Sequence, residues 1–125
     1  MMIEPENNRE LSYAGAIHEA INQAMSVDHQ VIVLGEGVPD PKGIFGTTAG
    51  LSKKFGSNRV FDTPLSENAM TGAAIGLANA GFRPLLIHQR IDFALLSLDQ
   101  IANNAAKWRY MFNEKAHAPI IVRMI

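Results

Sequence analysis

Apolar positions return along the chain at two different spacings. After a polar, acidic opening from Met1 to Glu10, Ala14, Ile17, Ile21 and Ala24 recur at helical spacing, with Ser12 placed to cap that helix. Gln30–Leu34 is a short β-branched run closed by Gly35 and predicts a buried strand. Val38–Gly50, with two prolines and three glycines, predicts a long loop. Leu51–Phe55 then reads as a short helix stopped by Gly56, and Arg59–Thr63 as a second strand. Ser66 is expected to cap a helix that runs to about Asn79 and ends at Gly81. Arg83–Gln89 is a third strand, with Pro84 near its start, where a missing N–H is tolerated. One long helix is expected from about Asp92 to Phe112, and a fourth strand over Pro119–Met124.

Strands alternating with helices predict an α/β fold with a mostly parallel sheet flanked by helices. The 125 residues suit one domain: a flexible tail over 1–10 and a folded unit over 11–125. A parallel strand is normally covered on both faces. The last one reaches Ile125 with nothing after it, so the expectation is an incomplete domain, or one that another chain covers. Zero cysteines exclude disulfides, thiolate metal sites and cysteine nucleophiles. A net charge of −1 gives no footprint for nucleic acid or an anionic membrane. The longest uncharged stretch, Asn68 to Phe82, is too rich in Gly, Asn and Thr to span a bilayer. With no apolar signal region at the start, a cytoplasmic location is expected.

Familiar motifs are mostly absent. Gly35-Glu36-Gly37 follows a strand, but no third glycine and no helix follow, so it reads as a turn and not a dinucleotide fingerprint. His18, His29, His88 and His117 lack metal-ligand spacing, and no metal site is expected. The unusual chemistry lies in Asp62-Thr63-Pro64-Leu65-Ser66-Glu67-Asn68-Ala69, which leaves a strand and enters a helix. Open α/β sheets place ligands at such strand ends. Glu67 falls in the first helical turn, where free N–H groups and the helix dipole favour an ionised acid. On residues alone it is either a first-turn stabiliser beside Ser66 or a site carboxylate. The helix after it is built of small residues, from Ala69 through Gly72, Gly76 and Ala80, which predicts tight packing in a core or a subunit interface.

At this point the order of motifs carries a resemblance. Leu34-Gly35-Glu36, Lys53-Lys54-Phe55-Gly56 and Arg59-Val60-Phe61-Asp62-Thr63-Pro64-Leu65-Ser66-Glu67 resemble the β subunit of thiamine-diphosphate-dependent 2-oxo acid dehydrogenase E1 components. The match continues through Gly72–Gly76, Ala80-Gly81-Phe82-Arg83-Pro84, Phe93, Asp99-Gln100-Ile101, Asn103–Lys107 and Pro119–Arg123. The resemblance implies the N-terminal part of a transketolase-like pyrimidine-binding domain. It implies that Glu67 is catalytic, sharing a proton with N1′ of the aminopyrimidine of thiamine diphosphate. Phe93 and Gln89 are implied as further cofactor-binding residues, and Glu36 and Asp99 as a proton relay between paired sites. The alternative for Phe93 is a core residue near a helix start, and both acids read equally as a cap or surface acid.

The resemblance also implies partners. The diphosphate and Mg²⁺ belong to an α-type E1 subunit, because this chain lacks the Gly-Asp-Gly…Asn pattern that binds them. A heterotetramer with self-associating β chains follows, inactive as the β-type chain alone, with a lipoyl acyltransferase downstream; neither nucleic acid nor membrane is expected as a partner. The strand before Phe93 typically runs Glu-Phe-Met-Thr-Phe-Asn in that family; here it is Ile87-His88-Gln89-Arg90-Ile91-Asp92. His88 or Arg90 is thereby a candidate for meeting a substrate carboxylate, against a solvated position or an Arg90–Asp92 ion pair. A transketolase-type carboligase subunit and a non-catalytic interaction fragment stand as alternatives.

Overall fold

A computed structural model describes residues 10–125; apart from Glu10, the expected tail lies outside the described residues. Helix α1 (Tyr13–Val27) begins where Ser12 Oγ accepts the Gly15 N–H at 3.1 Å and buries Ile21 and Met25. At its far end the Arg59 guanidinium donates to the carbonyls of Met25 and Asp28 at 3.0 and 2.8 Å and to Val31 at 2.7 Å. One cation thus satisfies carbonyls around the end of α1 that a helix terminus leaves open.

The four strands are β1 (Val31–Leu34), β2 (Val60–Phe61), β3 (Arg83–Ile87) and β4 (Ile121–Arg123), all parallel, in the spatial order β2-β1-β3-β4. Strand β2 is shorter than its apolar run because, at the sheet edge, only Val60 and Phe61 find partners, in Val33 and Leu34. Alternation along the strands divides the core between two faces. Val33, Val60, Leu85 and Ile87 pack with Ile21 and Met25 of α1 and with Leu51 of the short helix α2 (Leu51–Phe55). Leu34 and Leu86 pack on the other face with Met70 and Ala74 of α3 (Glu67–Asn79). The predicted loop between β1 and α2 is not a loose one. It sends Val38 and Ile44 into the core and ties Thr47 and Thr48 to Ile44 through their hydroxyls.

The expected single helix after β3 is instead a helical path that changes pitch. It passes from α4 (Ile91–Ala94) through a 3₁₀ turn (Leu95–Ser97) and a π-turn (Gln100–Ala105) into α5 (Ala106–Met111). Such local changes of hydrogen-bond register shift which side chains face inward. Here Ser97 is fully buried while its neighbours Leu95, Leu96 and Leu98 are exposed. Of the two packings expected for the small-residue helix α3, a core or a subunit interface, the core of this chain does not take up its outer stripe. Its outer stripe of Ala69, Ala73 and Gly76 is exposed, and a Cβ on Gly76 would meet no neighbour. Within this chain those small residues are not needed for close approach.

Candidate functional site

From β1 the chain moves to the strand on one side, and the strand on the other side of β1 is β3. Their carboxyl ends form the crevice where open α/β sheets bind ligands. Gly35 closes β1 so near to β3 that a Cβ there would sit 2.4 Å from the Ile87 carbonyl oxygen, which only glycine allows. The turn beyond it is pinned from both sides. Asp62 Oδ1 accepts the N–H groups of Gly37 and Thr63 at 2.8 and 2.9 Å, and Gln89 Nε2 donates to the Glu36 carbonyl at 3.3 Å.

Glu67 opens α3 beside this rim and is 9% exposed. Ser66 stands at the cap position, but its side chain makes no capping hydrogen bond. The Glu67 main-chain carbonyl accepts from Thr71 and Ser97, whereas among the described residues nothing hydrogen-bonds or ion-pairs its carboxylate. A carboxylate so placed keeps all its acceptor capacity for a group arriving at the site.

The other predicted residues divide. Gln89 and Glu36 meet at the rim, through the Gln89 amide and the Glu36 backbone. Phe93, on α4, is 37% exposed, with the Arg90 guanidinium 5.9 Å from its ring centroid; it is a surface aromatic and not a core one. Asp99 is exposed and accepts from Asn103 Nδ2 at 2.8 Å on its own helical path. Arg90 pairs with Asp92 at 3.0 Å, both well exposed. His88 is neither solvated nor aimed outward; it is 2% exposed, its Nε2 3.1 Å from Ser97 Oγ. Burial lowers its pKa below the ordinary histidine value, and the nearby Glu67 carboxylate opposes that shift. Among the described residues no cluster of His, Asp or Glu is arranged to hold a metal ion.

The sequence profile described as "Transketolase, pyrimidine binding domain" matches residues 9–123. The chain belongs to that family. The transketolase-type pyrimidine-binding fold accounts for the parallel four-stranded sheet with flanking helices. Relatives carry the same stretch in longer chains. The chain is 48% identical to the acetoin:2,6-dichlorophenolindophenol oxidoreductase subunit beta of Cupriavidus necator, covering 92% of this chain and 37% of that protein. It is 45% identical to the 2-oxoisovalerate dehydrogenase subunit beta of Bacillus subtilis, covering 90% and 35%. With the mitochondrial pyruvate dehydrogenase E1 component subunit beta-1 of Arabidopsis thaliana the identity is 37%, covering 92% and 32%. The chain therefore spans about a third of the length of these relatives.

Sequence reasoning did not find Ser97 and Thr71 as partners of the Glu67 backbone. The available signal was slight: a lone hydroxyl in the apolar run Ala94-Leu95-Leu96-Ser97-Leu98, and a threonine four residues after the acid.

Proposed function

We propose that this chain supplies the aminopyrimidine-binding half of a thiamine-diphosphate site in a 2-oxo acid dehydrogenase of the E1 type. The observation that carries the reading is Glu67: a largely buried acid at the carboxyl rim of a parallel sheet, whose carboxylate makes no hydrogen bond or ion pair among the described residues. That donor set fits the cofactor, since a ring nitrogen needs a carboxyl group free to share a proton. When bound, thiamine diphosphate supplies the electron-accepting thiazolium that makes loss of CO₂ from a 2-oxo acid feasible.

The protein's own contribution is placement. Glu67 holds the proton at N1′ and orients the ring through that bond. Exposed Phe93 offers an aromatic face to the ring, and Gln89, anchored on the Glu36 backbone, lines the pocket beside it. Glu36 and Asp99 serve as the relay acids between paired sites. An α-type subunit holds the diphosphate and Mg²⁺, in a cytoplasmic heterotetramer with self-associated β-type chains; the acyl group passes to a lipoyl acyltransferase. The β-type chain alone is inactive in this scheme, because half of the cofactor site is on its partner. A second reading, action on acetoin instead of a 2-oxo acid, is supported by the 48% identity to the acetoin oxidoreductase subunit.

Calorimetric titration of thiamine diphosphate with Mg²⁺ into the chain, with and without an α-type subunit, tests this. Binding should require the partner and disappear in Glu67→Ala. Unchanged binding by Glu67→Ala in the complex would sink the reading. Turnover of pyruvate, 2-oxoisovalerate and acetoin by the complex then separates the two substrate readings.

A further inference from the structure

His88 and Glu67 are the two buried titratable side chains among the described residues, and the function above uses only Glu67. His88 sits one residue past the end of β3, its own N–H held by the Arg123 carbonyl at 2.9 Å. Its Nε2 reaches Ser97 Oγ at 3.1 Å, and Ser97 Oγ lies 3.0 Å from the Glu67 carbonyl. Thr71 Oγ1 is 2.8 Å from both that carbonyl and Ser97 Oγ. Side chains from the end of β3, from the 3₁₀ turn and from α3 thus converge on the main-chain oxygen of the residue whose carboxylate faces the site.

Counting hydrogens discriminates between the two histidine tautomers. With the proton on Nε2, His88 donates to Ser97 Oγ, the single Ser97 hydrogen goes to the Glu67 carbonyl, and the single Thr71 hydrogen serves either that carbonyl or Ser97 Oγ. With the proton on Nδ1, the Ser97 hydrogen is drawn to His88 and the Glu67 carbonyl loses it. In a buried network each such bond is strengthened by its neighbours and by the low local dielectric.

We propose that His88, as its Nε2–H tautomer, is a positioning residue that acts through Ser97 to clamp the Glu67 carbonyl, fixing the first turn of α3 and so the direction of the Glu67 carboxylate. The inference rests on the reading that Glu67 meets the aminopyrimidine. Groups that orient a functional carboxylate without touching its ligand set how well the site is pre-organised.

The test uses the chain in complex with its α-type partner. Ser97→Ala and His88→Phe should each speed amide hydrogen exchange at Met70 and Thr71, the first amides of α3 held by backbone hydrogen bonds, by about fivefold, the worth of one buried hydrogen bond. Exchange in its last turn should stay unchanged. Both should weaken thiamine diphosphate binding by a similar roughly fivefold factor, and His88→Gln, which keeps an N–H donor, should restore both readouts. Nitrogen NMR of His88 in the unmodified chain should show the proton on Nε2. Uniformly faster exchange along α3, an Nδ1–H tautomer, or no rescue by His88→Gln would overturn the proposal. Glu67→Ala separates the two kinds of failure. If it still binds cofactor, the underlying reading falls; if it does not while Ser97→Ala binds normally, the clamp alone falls.

Discussion

Glu67 is 9% exposed and its carboxylate makes no hydrogen bond or ion pair among the described residues, but its negative charge acts on the neighbouring His88 imidazole and opposes the lowering of the His88 pKa by burial. Glu67→Gln removes that charge and should lower the His88 pKa further, as read by NMR titration of the imidazole. His88 supplies a pH signature. Burial holds its pKa in the folded chain below the ordinary value of 6.5, so the unfolded chain binds the proton first as pH falls. Stability is therefore full above pH 6.5 and declines below it, until the folded form also protonates. His88→Phe should flatten that part of the stability profile, as measured by urea unfolding at a series of pH values. The burial of His88 was not legible in its neighbourhood, because Gln89, Arg90 and Asp92 are all polar. Where a strand ends decides which way the next side chain turns, and that depends on β4 supplying the Arg123 carbonyl.

At the level of elements, the Ser12 cap and the glycine stop were legible in the sequence because they act through neighbours in the chain, whereas Ser66, expected to cap α3, makes no side-chain capping bond. Ser12 caps α1, and Gly56, at φ 84°, ends α2. Helix α3 tests a different kind of inference. Its glycines suggested close packing, yet Gly72 meets only the Gln100 side chain at 3.5 Å and Gly76 meets nothing. Gly76→Ala should accordingly stabilise the isolated chain by about 1 kcal/mol, the helix-propensity gain, in thermal or urea unfolding. Equal stability or a loss would mean that the outer stripe is not free in solution. The helical path from Ile91 to Met111 shows the limit of periodicity. A run of apolar and small residues announces a helix. It does not announce that the pitch tightens at Leu95–Ser97 and widens at Gln100–Ala105, since those changes answer to what α3 presents across the contact.

For the molecule as a whole, the sheet is covered unevenly. Between α1, β3 and β4 runs a groove of about 640 Å³ walled by Ile17, Ile21, Leu85, Ile121 and the stem of Arg123. Arg123 Nη1 is buried there without a hydrogen-bond partner, an arrangement that is rare in a closed core. Leu95, Leu96, Leu98 and Ile121 are each more than half exposed. Apolar surface of this kind binds hydrophobic dyes. The native chain should enhance anilinonaphthalene sulfonate fluorescence without denaturant, and Ile121→Lys should reduce that signal. Among the described residues no helix is long and apolar enough to cross a membrane.

What the sequence determined by itself was whatever depends on local spacing or on the identity of short motifs: the alternation of strands and helices, the Ser12 cap, the glycine breakers and the parallel α/β class. These follow from backbone sterics, from side-chain period and from chemistry carried within a few positions. Only the tertiary structure decided that the Glu67 carboxylate makes no hydrogen bond or ion pair among the described residues, that His88 turns inward to Ser97, and that Thr71 and Ser97 meet at the Glu67 carbonyl. Each of these depends on which groups from distant segments arrive within 3 Å or so of one another. That is settled by how α3 and the path beyond α4 pack on the sheet, and no local pattern encodes it.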